Sequence, residues 1–301
     1  MMLTSGTLSA EFTRPCRRAA DFVLLMKPRI VMMVLLTTFA GFYLGVSGTP
    51  DYAVLLQVLT GTALAAGGTL ALNQFLERDI DARMVRTRLR PLPAGRLQPT
   101  EALLFGLLIL VTGLLYLAIS VNALSGVVAA VIVGSYLFLY TPLKRRTAFC
   151  TVVGAVPGAL PPVIGWAAAT GRLGIEAWVL FAIMFLWQLP HTLAIAMLYK
   201  DDYKRAGIHL LPEVDPDDKI AGCQIVCGCL ALLVVSLLPT LLGFAGPVYF
   251  AGALTLGIGL LGCGCAFILW RSTTDVRRLV LASLVYLPAL LLLMVLDRVP
   301  F

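Results

Sequence analysis

The sequence predicts an all-α polytopic membrane protein with nine transmembrane helices and a cytoplasmic N-terminus. Three observations carry that prediction. First, 59% of the 301 residues are hydrophobic and only 13% are charged, with a mean hydropathy of +0.93; a soluble domain carries about a quarter charged residues. Second, nine apolar runs are long enough, or nearly so, to cross a bilayer. Third, the basic residues fall on one side once those runs alternate in direction.

In chain order, residues 1–26 form a polar, basic leader containing Arg14, Arg17 and Arg18. The apolar stretch behind it has no small-residue cleavage site, so it reads as a retained first span. Residues 27–301 are expected to form one nine-helix domain. Its first two spans, about Ile30–Val46 and Ala53–Leu72, are joined by SGTPD. The third and fourth, about Ala102–Ile119 and Val121–Tyr140, meet in a tight turn near Val121. The fifth, about Ala148–Thr170, contains GAVPGALPPVIG; that Gly and Pro content predicts an irregular helix packed closely on its neighbours, or a cavity wall. TGRLGIE leads to the sixth, about Ala177–Tyr199. The seventh and eighth, about Ile220–Phe244 and Pro247–Trp270, are divided by Gly246-Pro247, and the ninth covers about Leu279–Leu296.

With the N-terminus placed in the cytoplasm, every one of the 23 Lys and Arg residues except Arg172 and Arg298 lies on the cytoplasmic side. The C-terminus then lies outside. Losing one internal span would scatter basic loops over both faces, which argues for nine. The two longest polar loops, after spans two and six, share the cytoplasmic face, and both begin with acidic residues. Chemistry is expected there.

The net charge of +7 does not indicate nucleic acid, because the basic residues sit in short loops and form no basic tail. The seven cysteines match neither a zinc ligand set nor a haem attachment sequence, and read as small packing residues.

The densest charged stretch is NQFLERDIDARMVRTRLRP, Asn73 to Pro91. Asn73, Glu77 and Asp81 are spaced i, i+4 and i+8, so a helix lines them up on one face. Two carboxylates on one face call for a positive charge between them. A hard divalent cation, Mg²⁺ first, takes oxygen ligands and shares them with phosphate. Arg86 and Arg90 follow, with the fork geometry that suits phosphate. The plainer alternative is a salt-bridged helix end at the membrane boundary.

A second constellation closes span six. Gln188, Pro190 and His191 lie inside the apolar run, and Lys200, Asp201, Asp202 and Tyr203 follow its end. An ionisable group within a span marks a functional candidate, and Pro190 removes a backbone hydrogen bond. Two acidic clusters facing each other would hold a diphosphate through metal ions. Against that stand a solvated loop for Asp201 and Asp202 and a packing role for His191. Tyr140 to Thr147, with Lys144, Arg145 and Arg146, reads equally as a phosphate clamp or a topology signal. Lys27-Pro28-Arg29 reads as an interface anchor.

These motifs resemble the UbiA-type intramembrane prenyltransferases, and most closely the branch that prenylates haem. The resemblance rests on Asn73-Gln74-x-x-Glu77-x-x-x-Asp81, on Met84-x-Arg86-Thr87-x-x-Arg90-Pro91-Leu92 and on Tyr140-Thr141-x-Leu143-Lys144-Arg145. Gly158-Ala159-Leu160-Pro161-Pro162, Trp187-Gln188-x-Pro190-His191 and Asp201-Asp202-Tyr203-x-x-Ala206-Gly207-Ile208 extend it, so it runs from about Lys27 to the C-terminus. Gln74 and Glu77 stand where quinone-prenylating relatives tend to have aspartates.

The resemblance implies nine helices bundled around a central cavity, closed by cytoplasmic loops. It implies transfer of the farnesyl group of farnesyl diphosphate to a vinyl group of haem B, with addition of water, giving haem O. On that footing Glu77 and Asp81, with Asp201 or Asp202, hold Mg²⁺. Asn73, Arg86, Arg90, Lys144, Arg145 and Lys200 hold the diphosphate. His191 is a haem-iron ligand or a proton acceptor. The expected setting is the cell inner membrane and its lipid, with haem A synthase or a terminal oxidase taking the product. A prenyltransferase for a quinone precursor or chlorophyll-like tetrapyrrole is the alternative within this class. A transporter is disfavoured because the ionisable residues gather at one face, and a structural subunit would not need paired carboxylates with neighbouring arginines.

Overall fold

The computed structural model describes residues 17–208 and 219–299. They are helical nearly throughout, and the one β-type pairing among them is an isolated bridge between Ala245 and Arg298. Nine helical stretches of the described residues are long and apolar enough to cross a membrane.

A short helix, α1, covers residues 17–25, and a turn at Met26 and Lys27 leads into α2, Pro28–Gly45. Thus the described part of the leader, up to the boundary drawn at residue 26, is an ordered helix. Leu25 and Phe22 pack with Ala71, Leu92, Leu97 and Ala102. Asp21 accepts two bonds from Arg96 Nε, at 3.0 and 3.1 Å, and Arg18 pairs with Glu101.

Helix α3, Tyr52–Asp81, starts where Asp51 accepts the backbone N–H groups of Ala53 and Val54 at 2.9 and 3.2 Å. Its 30 residues give a length of about 45 Å, against about 30 Å of hydrocarbon. The surplus carries Asn73 to Asp81 to the membrane boundary without a break in the helix. Helix α4, Pro99–Tyr116, begins with a capping box between Gln98 and Glu101 and runs through a π-helical turn to Val121. It lies close along α3: a Cβ on Gly113 would fall 2.3 Å from the Ala65 nitrogen. Helix α5, Ala123–Gly134, is capped by Asn122 and continues as a π-helical stretch, Ser135–Tyr140, and a final turn, Thr141–Leu143.

The fifth span is broken in two, α6 Cys150–Ala159 and α7 Pro161–Thr170. The break at Leu160 follows from Pro161 and Pro162, which have no N–H to continue the ladder. Helix α8, Ile175–Leu198, stays continuous through Pro190 and is followed by the short α9, Lys200–Ala206. Helices α10 (Lys219–Ser236), α11 (Pro247–Trp270) and α12 (Thr273–Leu296) complete the chain. The last starts before the predicted Leu279, because Ser272 caps it through Asp275 N at 3.1 Å.

Helix α2 packs on α3 and α7, and α8 packs on α6, α10 and α12, so the helices surround a shared interior. That interior contains a cavity of ≈ 270 Å³ lined by side chains of α2, α3, α5, α6, α7 and α8.

Candidate active site

The last three turns of α3 carry the polar stripe, and the fold buries all of it. Asn73 and Asp81 are each 1% exposed and Glu77 is 9% exposed. Each carboxylate has a cation. Lys144 Nζ donates to Glu77 Oε1 at 2.9 Å, and Arg90 Nη1 donates to Asp81 Oδ2 at 2.6 Å. Lys27 Nζ donates to Asn73 Oδ1 at 3.2 Å, and Asn73 Nδ2 donates to Thr141 Oγ1 at 3.3 Å. Four segments distant in sequence therefore meet at one polar mouth: the entry to α2, the end of α3, the loop behind it and the end of α5.

The loop after α3 reaches that mouth because it folds back under its own bonds. Thr87 Oγ1 donates to Asp81 O at 2.8 Å, and Met84 and Thr87 are buried. This turn brings Arg90 back to Asp81. Burial then sets the charge states. Burial works against charge on Lys144, but Tyr140 and Glu77 beside it outweigh burial and hold it above the usual lysine range. Lys27 goes the other way: burial first, then the Arg90 charge, bring it down to about 7. Removing one partner of such a buried pair leaves a stranded charge, a cost of about 3–5 kcal/mol.

The second acidic cluster divides. Asp202 is buried, pairs with Arg205 and accepts Val85 N at 3.4 Å, which ties α9 to the loop after α3. The Arg205 bond holds its carboxyl below the usual aspartate range. Arg86 lies over the rings of Tyr199 and Tyr203, 5.3 and 5.9 Å from their centroids, and reaches the Tyr203 hydroxyl at 3.4 Å. Asp201, Lys200 and Arg145 are exposed. Among the described residues no three His, Cys, Asp or Glu side chains converge as a metal site by themselves. The donor set still suits a hard cation shared with a phosphorylated ligand. Such a cation needs only one or two protein carboxylates, and Glu77 and Asp81 supply two from one helix face.

Beneath the ionic mouth is an aromatic layer in which Tyr136 joins Tyr140, the residue that opens the basic turn. Tyr136, Tyr140 and Lys144 share the i, i+4, i+8 spacing of the acidic stripe, so the same signal was available. The π-helical turn places the two rings 5.4 Å apart, with Tyr136 OH 3.5 Å from Asn73 Oδ1 and Lys144 Nζ 4.3 Å from the Tyr140 centroid. Both rings line the cavity, which below them is walled by apolar groups, among them Ile132, Val133 and Ile164.

His191 is not among the cavity residues. Its ring stacks on Trp187 and its Nδ1 lies 2.7 Å from Ser283 Oγ. The same Ser283 hydroxyl lies 2.8 Å from Val280 O. Its neighbours Gln188 and Thr192 line the cavity instead. Gln74 also has a structural partner: its Nε2 donates to Leu24 O and Leu25 O at 3.1 and 2.9 Å, satisfying the end of α1. His209 lies outside the described residues.

The arrangement is a buried cluster of cations and carboxylates above an aromatic collar and an apolar cavity. It can seat a polyanion at the mouth and an apolar tail beneath it, away from water. Comparison with known proteins gives the family and the fold. Residues 34–291 match the model of the UbiA prenyltransferase family. A protoheme IX farnesyltransferase of Solibacter usitatus is 48% identical over 92% of this chain and 98% of the relative. Another, from Koribacter versatilis, is 41% identical over 92% and 93%. Among solved structures, a digeranylgeranylglyceryl phosphate synthase superposes with a TM-score of 0.79 at 16% identity, covering 93% of this chain and 98% of the other. A UbiA homologue from Archaeoglobus fulgidus, bound to DMAPP and Mg²⁺, superposes with a TM-score of 0.65 at 15% identity, covering 91% and 99%.

Proposed function

The chain belongs to the UbiA prenyltransferase family, and we infer that it is an enzyme transferring the farnesyl group of farnesyl diphosphate to a vinyl group of protoheme IX. Water is added and haem O results. The choice of haem and farnesyl rests on the relatives that match nearly the whole chain. The single observation that carries the site is the buried stripe of Asn73, Glu77 and Asp81, matched to Lys27, Lys144 and Arg90 over an apolar cavity.

Glu77 and Asp81 are the residues that would hold Mg²⁺, with help from Asp202, which is buried against the loop after α3, or from the exposed Asp201. The bound ion would supply charge neutralisation for the diphosphate. Support comes from the Mg²⁺ and DMAPP bound by the Archaeoglobus homologue. Asn73, Lys144 and Arg90 then face the diphosphate from below, and Arg86, held by two tyrosines, closes over it from the loop. Arg145 and Lys200, exposed at the same end, are assigned to its capture from solution. Preorganised cations favour the state in which the C–O bond has broken and charge has moved to the leaving group. Tyr136 and Tyr140 shield the allylic carbon from bulk water. His191 is the candidate for the haem iron or for accepting a proton.

The distribution of basic loops supports a mouth on the cytoplasmic side, with the cell inner membrane as the setting. Membrane lipid surrounds the bundle, and a haem A synthase or terminal oxidase would take the product.

The test is product formation by purified protein with farnesyl diphosphate, Mg²⁺ and haem B, read by mass spectrometry. A haem heavier by a farnesyl group plus water, lost on adding EDTA, is the expected result. Glu77→Gln should lower turnover by about 10²–10³-fold, the usual cost of removing one group that stabilises developing charge. Normal turnover in that variant would overturn the metal assignment. Prenylation of a quinone precursor with haem untouched would overturn the acceptor.

A further inference from the structure

Gln188 is a carboxamide in the apolar middle of α8, about 15 Å from its end at Leu198. Both of its donor bonds come from Nε2, to Ala155 O at 3.2 Å and to its own Met184 O at 3.1 Å. Those two carbonyls fix the orientation of the amide, because Oε1 would repel them. Oε1 is thereby turned towards Gly158, so close that a Cβ there would fall 2.0 Å from it. Gln188, Gly158 and Thr192 all line the cavity. A polar acceptor is thus held rigidly at an otherwise mostly apolar wall.

Its depth is informative. Tyr140 packs on Gly154 and Gln188 packs on Gly158, one turn further along α6, about 6 Å below the aromatic collar. From the mouth inward come the ions, the aromatic rings with Thr192 at about their level, Gln188, and then a largely apolar floor. With the diphosphate seated among the ions, the farnesyl carbon that loses it would lie near the collar, and the next reacting atoms within reach of Gln188.

We propose that Gln188 is a catalytic residue whose side-chain carbonyl holds the water that completes the reaction. The proposal rests on the haem-farnesylating reading above. In that reaction the C–O bond to diphosphate breaks and the vinyl group forms a C–C bond to the allylic carbon. A cation is left on the side-chain carbon next to the porphyrin ring. The water on Gln188 donates one hydrogen to Oε1 and gives its lone pair to that carbon, forming the new C–O bond. Its other proton leaves with the diphosphate, and no electrons are gained or lost. Without a held water, the same cation sheds a proton to the diphosphate instead and becomes an alkene.

The two fates give prenylated haems that differ by one water, so the experiment reads their ratio by mass spectrometry. It uses the full chain with farnesyl diphosphate, Mg²⁺ and haem B. In Gln188→Leu the ratio of the lighter product to haem O should rise about tenfold, the factor a hydrogen bond near a charge is worth. Gly158→Ala, which drives a methyl into Oε1, should shift the ratio the same way. An unchanged ratio in Gln188→Leu overturns the proposal, and if that variant makes no prenylated haem, an unchanged ratio in Gly158→Ala does so. Absence of any prenylated haem from the unaltered chain would instead overturn the reading beneath it.

Discussion

Lys27 sits beside proline at the entrance to a span, and by its neighbourhood it is an interface anchor. In the fold its ammonium lies 3.2 Å from Asn73 Oδ1 and shares the mouth with Arg90 and Lys144. Removal of water, and then the neighbouring Arg90 and Lys144 charges, disfavour its charge and bring its pKa down to about 7. The sign of the consequence follows directly. Below about 7 Lys27 is an ammonium and adds one positive charge for the diphosphate; above it that charge is lost. The KM for farnesyl diphosphate should therefore rise as pH climbs through this value. Lys27→Met should have the higher KM throughout and lose that limb of the profile. A limb that persists in the variant would assign it to another group. Glu77 and Asp81 were legible as candidates because helical spacing alone puts them on one face. Lys27 was not, because nothing local reveals that four segments converge on it.

At the scale of elements, the site depends on how closely helices approach one another. Helix α3 carries the acidic stripe, and α4 braces it where Gly113 meets the Ala65 backbone. A methyl at Gly113 would fall 2.3 Å from the Ala65 nitrogen, a contact that only backbone movement relieves. Gly113→Ala should destabilise the fold by about 1–3 kcal/mol, the usual cost of overpacking. A thermal melt of the detergent-purified protein checks this, with an unchanged melting temperature as the contrary result. Helix α5 shows a different dependence. Its π-helical end turns Tyr136, Tyr140 and Lys144 into the cavity mouth. Their even spacing was present in the sequence, but aromatic residues in a span are ordinarily packing residues, and the π turn itself leaves no sequence mark.

For the molecule as a whole, the distribution of basic residues predicts a direction across the membrane. At the end opposite the mouth, Asp297 accepts Tyr249 N at 2.7 Å and Gly246 N donates to Asp297 O at 2.8 Å. Arg298 donates to Tyr43 O, so the chain's last described turn is stitched to α2 and α11. The prediction is a C-terminus outside the cytoplasm. Alkaline phosphatase fused there should be active and a fluorescent protein that folds only in the cytoplasm should be dark; the reverse pattern would refute the orientation.

The number of spans, the acidic stripe and the likeness to a prenyltransferase family were all fixed by the order of residues alone. Each depends on periodicity or charge along one continuous segment, and bilayer thickness and helix geometry read those directly. Which carboxylate meets which cation, that Gln188 and Thr192 face the cavity while His191 turns to Ser283, and that α1 is stapled by Gln74 were decided only by tertiary structure. These depend on the rotation of each helix about its axis and on close packing between segments far apart in sequence. Both are set by the sum of many side-chain contacts across the bundle, and no local pattern encodes that sum.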